Sequence, residues 1–158
     1  MNDETKEILL RVMEENWIHA RQAEEKRFIT ANIIILAAVA LQIVLVISGF
    51  TRKVLPLALS LAFLAIYGIA TTSKLYERSQ YHILRARKLR KRLDELCPDA
   101  QIQNLLSAAE EEHKKRYPRL INSRLNDIWL VLYAVIVLLG IVDTFIILLT
   151  RSVYPLQQ

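Results

Sequence analysis

Apolar positions along this chain gather into three blocks, residues 28–50, 54–73 and 128–150, and elsewhere recur at helical spacing among charges. Between Phe28 and Ser73 the only charged residues are Arg52 and Lys53, at the middle of the stretch. Two apolar runs of about 20 residues joined by a short polar break are what a membrane-crossing helical hairpin requires. The block at 128–150 adds a third span. The pattern predicts an all-α integral membrane protein with three transmembrane helices.

No Gly or Pro precedes Gly49. One helix is therefore expected from about residue 3 to about 48, with Asn2 or Asp3 as its cap and Asp3, Glu4 and Glu7 in its first turn. Gly49, Phe50, Thr51, Arg52 and Lys53 make the turn. Pro56 falls in the first turn of the second helix, where its missing N–H does no harm. That helix should run from Val54 to Leu96, interrupted only by Gly68, and stop at Cys97, Pro98 and Asp99. Asp99 is the expected cap of a third helix, which carries Ile102, Leu105, Leu106 and Ala109 on one face. Its far half holds three i,i+4 pairs, Glu110–Lys114, Glu111–Lys115 and Glu112–Arg116. Tyr117-Pro118 breaks it, and a last helix from about Arg119 enters the membrane near Ile128 and ends near Thr150.

The first two helices outrun the membrane and should stay side by side. Leu9, Met13, Asn16, Ala20 and Ala23 follow a 4,3,4,3 spacing, and Ser79, His82, Ala86, Leu89, Leu93 and Leu96 do nearly the same. Seams of this kind pack as coiled coils. Antiparallel partners must have position numbers with a constant sum. Leu9 with Leu93, Met13 with Leu89, Asn16 with Ala86, Ala20 with His82 and Ala23 with Ser79 all sum to 102. The same constant pairs Thr30 with Thr72, Ile34 with Gly68, Ala37 with Ala65 and Leu41 with Leu61 inside the membrane, where small residues allow close approach. It also brings Glu14 level with Lys88 and Glu15 level with Arg87. The second helix rises about 35 Å from Ser73 to Leu96, and residues 99–127 offer about 42 Å for the return. The expected architecture is a long helical hairpin continuing into a cytoplasmic three-helix stalk. The alternative lays the N-terminal helix on the membrane surface, with Trp17 among the headgroups.

Charge orients this layout. Residues 1–27 hold five Lys and Arg and residues 74–127 hold thirteen, against Arg52, Lys53 and Arg151 on the other side. The positive-inside rule then puts residues 1–27 and the 74–127 segment in the cytoplasm and the 151–158 tail outside. The formal charge of +5 and the pI of about 9.5 read as this bias, with no nucleic-acid partner expected. A heavily charged start without a compact apolar core argues for an uncleaved anchor over a secretory signal. Cys97 stands alone, so neither a disulfide framework nor a multi-cysteine metal site is expected.

Candidate chemistry is sparse. Asp143 lies inside the third apolar block, about 6 Å outward of its centre, and intramembrane carboxylates are costly and face protein or water. Gln42 and Ser60 fall at similar depth. The three form either an interhelical hydrogen-bond layer with a protonated Asp143 or, in an oligomer, a carboxylate ring lining a pore. A further option is an Asp143 close to the outer surface with Arg151 snorkelling towards it. Arg85, Arg87, Lys88, Arg90, Lys91 and Arg92 make a basic patch that begins about 18 Å past the membrane exit. That exceeds the Debye length of about 8–10 Å, so pairing with the acidic N-terminal helix is expected ahead of lipid or another anion. His82 is read as seam packing, while His19 and His113 belong to no ligand motif. Trp129 and Tyr133 at one boundary, and Tyr154 at the other, are expected as interfacial anchors. With three glycines there is no phosphate loop, and no nucleophile–base pair is legible, so neither catalysis nor a cofactor is expected.

The run from Trp17 through Ile18, His19, Ala20, Arg21, Gln22, Ala23, Glu24, Glu25 and Lys26 to Arg27, just before a membrane hairpin, resembles the entry segment of small bacterial membrane proteins of the RipA family. It is also similar to the SLATT effector domains. The first resemblance implies a homo-octamer in the bacterial inner membrane; the second implies a membrane-perturbing pore controlled by a partner. Neither implies catalytic residues. The expectation is a non-enzymatic, self-assembling inner-membrane protein that forms a pore or vestibule among membrane lipids. The alternative is an anchor whose stalk docks a cytoplasmic protein.

Overall fold

The computed structural model describes residues 3–118 and 125–153, with backbone alone for 150–153. Every regular element among them is helical: α1 (Asp3–Ile47), a 3-10 turn (Arg52–Val54), α2 (Leu55–Leu96), a 3-10 turn (Pro98–Ala100), α3 (Ile102–Arg116) and α4 (Leu125–Val153). Parts of α1 and α2, together with α4, are long and apolar enough to cross a membrane. The fold is all-helical with three candidate membrane spans. The expected helix start near Arg119, the Arg151 side chain, Tyr154 and most of the 151–158 tail lie outside the described residues.

The hairpin turn is built on two left-handed residues, Gly49 and Phe50. Gly49 takes φ +65°, which a residue without Cβ adopts freely. Phe50 N–H then donates to Leu45 O at 3.4 Å and Gly49 N–H to Val46 O at 3.1 Å. This is a Schellman closure, which satisfies carbonyls that the helix end would otherwise strand. Phe50 folds back onto the apolar core that contains Leu45. The next junction differs from expectation. Asp99 lies in the 3-10 turn, and the residue before α3 is Gln101, left-handed at φ 45° with no side-chain cap. Asp94 of α2 supplies an acceptor instead, receiving Gln103 N–H at 3.4 Å.

Contacts divide the chain into two compact units, one from the described parts of Met1–Lys26 and Leu75–Leu125, the other from those of Arg27–Lys74 and Asn126–Gln158. In the second, apolar unit, each helix contributes one stripe. On α1 the core residues are Ala31, Ile34, Ala38 and Leu45; on α2 and the turn before it, Val54, Ala58, Leu61 and Ala65; on α4, Tyr133, Ile136 and Ile147. Alternating steps of three and four put each set on one helix face. α4 lies directly on α2. A Cβ on Gly140 would stand 2.8 Å from Ala62 N and 3.1 Å from Ala58 O, and one on Gly68 would stand 2.6 Å from the Tyr133 ring. Gly68 therefore makes room for Tyr133. This corrects the expectation for Tyr133, which is fully buried and is no interfacial anchor. Trp129 is half-buried and meets Phe28 edge-on at 6.4 Å.

In the first, polar unit, Asn16, Ala20 and Ala23 of α1 and Ser79, Ala86 and Leu93 of α2 are buried, while Leu9, Met13, His82 and Leu89 are half-buried. α3 departs from the expected third packed helix: it buries no residue, and Leu105 remains 68% exposed. Lys114 and Lys115 do pair with Glu110 and Glu111, at 2.8 and 3.0 Å. The Lys114 hydrogen bond holds the Glu110 carboxyl below its ordinary pKa.

Candidate functional site

Depth within the apolar unit can be read from its contacts. Arg27 Nη1 donates to Asn126 Oδ1 at 3.5 Å, and Phe28 meets Trp129, so α1 and α4 run parallel about a hundred positions apart in number. Gly68 against Tyr133, and Ala62 against Gly140, make α2 antiparallel to α4. Gln42, Ser60 and Asp143 then share one level to within about a helical turn, about 5 Å.

Facing separates them. Asp143 is 3% exposed, and its Oδ2 is buried without a hydrogen-bond partner. Gln42 is half-buried, with Oε1 likewise buried and unpartnered. Ser60 points outward, and its hydroxyl donates to Pro56 O at 2.8 Å. Within one chain Ser60 is therefore no member of a buried layer. The reason is angular: Ser60 sits one residue before Leu61, which faces the core, and one residue turns a helix by about 100°. Asp143 and Gln42 are left as two acceptors at one level, each with an oxygen lacking a donor, and buried polar atoms of this kind are costly.

Beside this level runs a groove of about 310 Å³, lined by Ile35, Ala38, Val39, Gln42 and Ile43 of α1, Leu61 of α2, and Leu132, Val135, Ile136 and Leu139 of α4. Gln42 is the single polar side chain in its wall. On α2, Leu59, Ser60, Phe63, Ile66 and Tyr67 are exposed, and by the same numbering they span the groove's depth.

The polar unit carries a second constellation. Asn16 Nδ2 donates to Val12 O at 2.7 Å, and Asn16 Oδ1 lies 3.1 Å from His82 Nδ1. The amide oxygen can only accept, so a bond here takes the His82 tautomer with its proton on Nδ1. The expected seam set Asn16 against Ala86 and His82 against Ala20; the His82 side chain instead reaches one turn further along α1. The His19 ring lies 5.2 Å from it and the Tyr81 ring 5.5 Å. Burial, then the nearby His19, Arg78 and Arg85, push the His82 pKa below its ordinary 6.5.

The basic patch faces several ways. Arg85, Arg87, Lys88, Lys91 and Arg92 are exposed, and Arg90 is half-buried. Arg85 stacks 5.5 Å over Tyr81, and Arg92 pairs with Glu95 at 2.8 Å. Among the described residues no ion pair joins Glu14 to Lys88 or Glu15 to Arg87; Glu15 pairs with Arg11 of its own helix at 3.8 Å. An i,i+4 partner on the same helix needs no alignment between helices, which favours the local pair.

Sequence reasoning missed two features. Tyr133 belongs to the stripe Tyr133, Ile136, Gly140, Asp143 and Ile147, whose 3,4,3,4 spacing was available as a signal. His19 lies three residues after Asn16, one helical turn, and so flanks the seam beside His82. No protein-family model, no curated protein and no solved structure matches the chain.

Proposed function

We propose that the chain is a non-enzymatic membrane protein that assembles with copies of itself. The observation that carries this is the apolar groove between α1 and α4, which one chain leaves open. The outward face of α2 in a second copy, with Leu59, Ser60, Phe63 and Tyr67, is its occupant. Copies related by an axis along the bilayer normal keep each residue at its own depth, so groove and face meet level, and the Gln42 amide reaches Ser60. Because groove and face are different surfaces, the contact is head-to-tail and closes into a ring. The ring surrounds a pore or vestibule; Asp143, buried among the helices of its own chain, does not line it. The membrane is the bacterial inner membrane, with residues 1–27 and 74–127 cytoplasmic as the Lys and Arg bias supports, and the paired helices of the polar unit form a stalk. The likeness to the RipA family suggests eight copies. Native mass spectrometry of the full chain in mild detergent tests this: a multiple of the chain mass is expected, and monomer alone would sink the proposal. The Phe63→Glu substitution should dissociate the assembly without unfolding the chain.

A second reading has its own observation. Leu105 and Leu106 of α3 are exposed outside the candidate spans, where water makes bare apolar surface costly. In that reading α3 docks a cytoplasmic partner. A stoichiometric partner retained by the intact chain, and released by Leu105→Glu/Leu106→Glu, would favour it.

A further inference from the structure

Where the polar unit's part of α1 ends, a cavity of about 40 Å³ opens among His19, Gln22, Ala23 and Lys26 of α1 and Leu75 and Arg78 of α2. Ala23 is buried and Leu75 half-buried, forming the floor; His19, Gln22, Lys26 and Arg78 are exposed around the rim. On α1 the rim residues follow steps of three and four, so all three point to one side. The rim holds two fixed positive charges, an imidazole and an amide, and no carboxylate. Neither Lys26 nor Arg78 has an ion-pair or hydrogen-bond partner among the described residues. This differs from Arg92, Lys114 and Lys115, each of which sits on a carboxylate within 3.0 Å.

We infer that this cavity binds a phosphate group, its oxygens taken by Lys26 and Arg78 and completed by Gln22 and His19. A guanidinium offers paired N–H donors matched to two oxygens of one phosphate, and an ammonium adds a point charge. The volume takes the inner oxygens of a tetrahedral anion, while the open side leaves room for a substituent. The neighbouring His82 is independently sensitive to the local surplus of positive charge, since Arg78 and His19 both add to burial in disfavouring its protonation.

Two sources offer this chemistry, a lipid headgroup and a free phosphate. Lys26 directly precedes Arg27 and the apolar block, and Arg78 follows Ser73 by five residues, about 7 Å of helix. Headgroup layers are about 5–7 Å deep on each side of the hydrocarbon. Both charges therefore fall at the level of an anionic lipid's phosphate, unlike the patch at Arg85 to Arg92. His19, about 13 Å along α1 from Phe28, would meet the headgroup's outer substituent. The site stands whether or not copies of the chain assemble.

The test uses the full chain in a non-ionic detergent and calorimetric titration with three probes: a short-chain phosphatidylglycerol, the matching phosphatidylcholine, and inorganic phosphate. One saturable site per chain is expected. The Lys26→Gln/Arg78→Gln variant should bind at least about tenfold more weakly, since each charge-assisted bond contributes more than a neutral one. Arg52→Gln/Lys53→Gln, the same charge change at the hairpin turn, should bind within about twofold of the parent. Preference for phosphatidylglycerol over phosphate identifies a headgroup site; equal binding of phosphate identifies a free anion; both support the cavity. No saturable binding of either, or equal affinity in the Lys26→Gln/Arg78→Gln variant, overturns the inference. Should that variant lose helicity by circular dichroism, Gln22→Glu sets a carboxylate in the rim. It must abolish binding, and unchanged affinity would overturn the inference equally.

Discussion

The apolar and polar units use the same spacing of inward positions and fill it with opposite chemistry. In the apolar unit the seam is Ala31, Ala38, Ala58, Ala65, Gly68 and Gly140 around a few large residues, Tyr133 above all. In the polar unit it is Asn16, Ala20, Ala23, Ser79, His82 and Ala86, together with Leu93 and the half-buried Leu9, Met13 and Leu89. The difference teaches what each solvent demands. Lipid gives apolar side chains no reason to leave it, so helices there are held by close packing, and small residues let backbones touch. Water rewards a leucine seam, and Leu93, Leu9 and Leu89 supply part of one, which Asn16, Ser79 and His82 interrupt. A half-buried Asn–His bond stabilises little, but it is satisfied in one register only. The apolar unit is held by close packing, and the polar unit adds one inter-helix hydrogen bond, Asn16 to His82, to its packed seam.

The comparison can be broken most severely at Gly140. Gly140→Leu drives a side chain into Ala62 backbone, which cannot move aside, and should cost more than about 3 kcal/mol or detach α4 altogether. Unfolding in detergent with increasing dodecyl sulfate would measure it; a loss under about 1 kcal/mol would mean that the helices do not touch there. Gly68→Ala should cost about 1–3 kcal/mol in the same assay, because a side-chain ring has more freedom to yield than backbone. In the polar unit, Asn16→Ala removes the partner of His82 and should cost only about 1 kcal/mol. A double-mutant cycle with His82→Ala should recover a coupling between the two.

The smallest effect is a pH dependence. The folded chain holds the His82 pKa below 6.5, so the unfolded chain takes up the proton first as pH falls. Stability should be level above pH 6.5 and decline from there towards the depressed folded value. His82→Gln should flatten that decline; an unchanged profile would assign the protonation to another group.

Much of this division was legible in residue order. Gly49 and Pro56 bracket the turn, the absence of breakers sets the length of α1 and α2, and the three apolar blocks mark the candidate spans. What escaped was rotational position. Ser60 and Gln42 share a depth, but depth says nothing of facing, and one residue's offset from Leu61 sends Ser60 outward. Tyr133 was read by residue type as an anchor, whereas Gly68, two helices away in the chain, decides that it is core. The capping of α3 was missed for a similar reason: Asp99 has the right chemistry and adjacent position, but the acceptor comes from Asp94, brought near by the turn.

The contrast between lipid-facing and water-facing regions rests on the α1–α2 hairpin crossing a bilayer and returning. Single cysteines in place of Thr5, Thr51 or Ala108, all exposed, can be probed with an impermeant maleimide on sealed vesicles after Cys97→Ser. The account predicts that positions 5 and 108 label from one side and position 51 only from the other. Labelling of all three from the same side would contradict it.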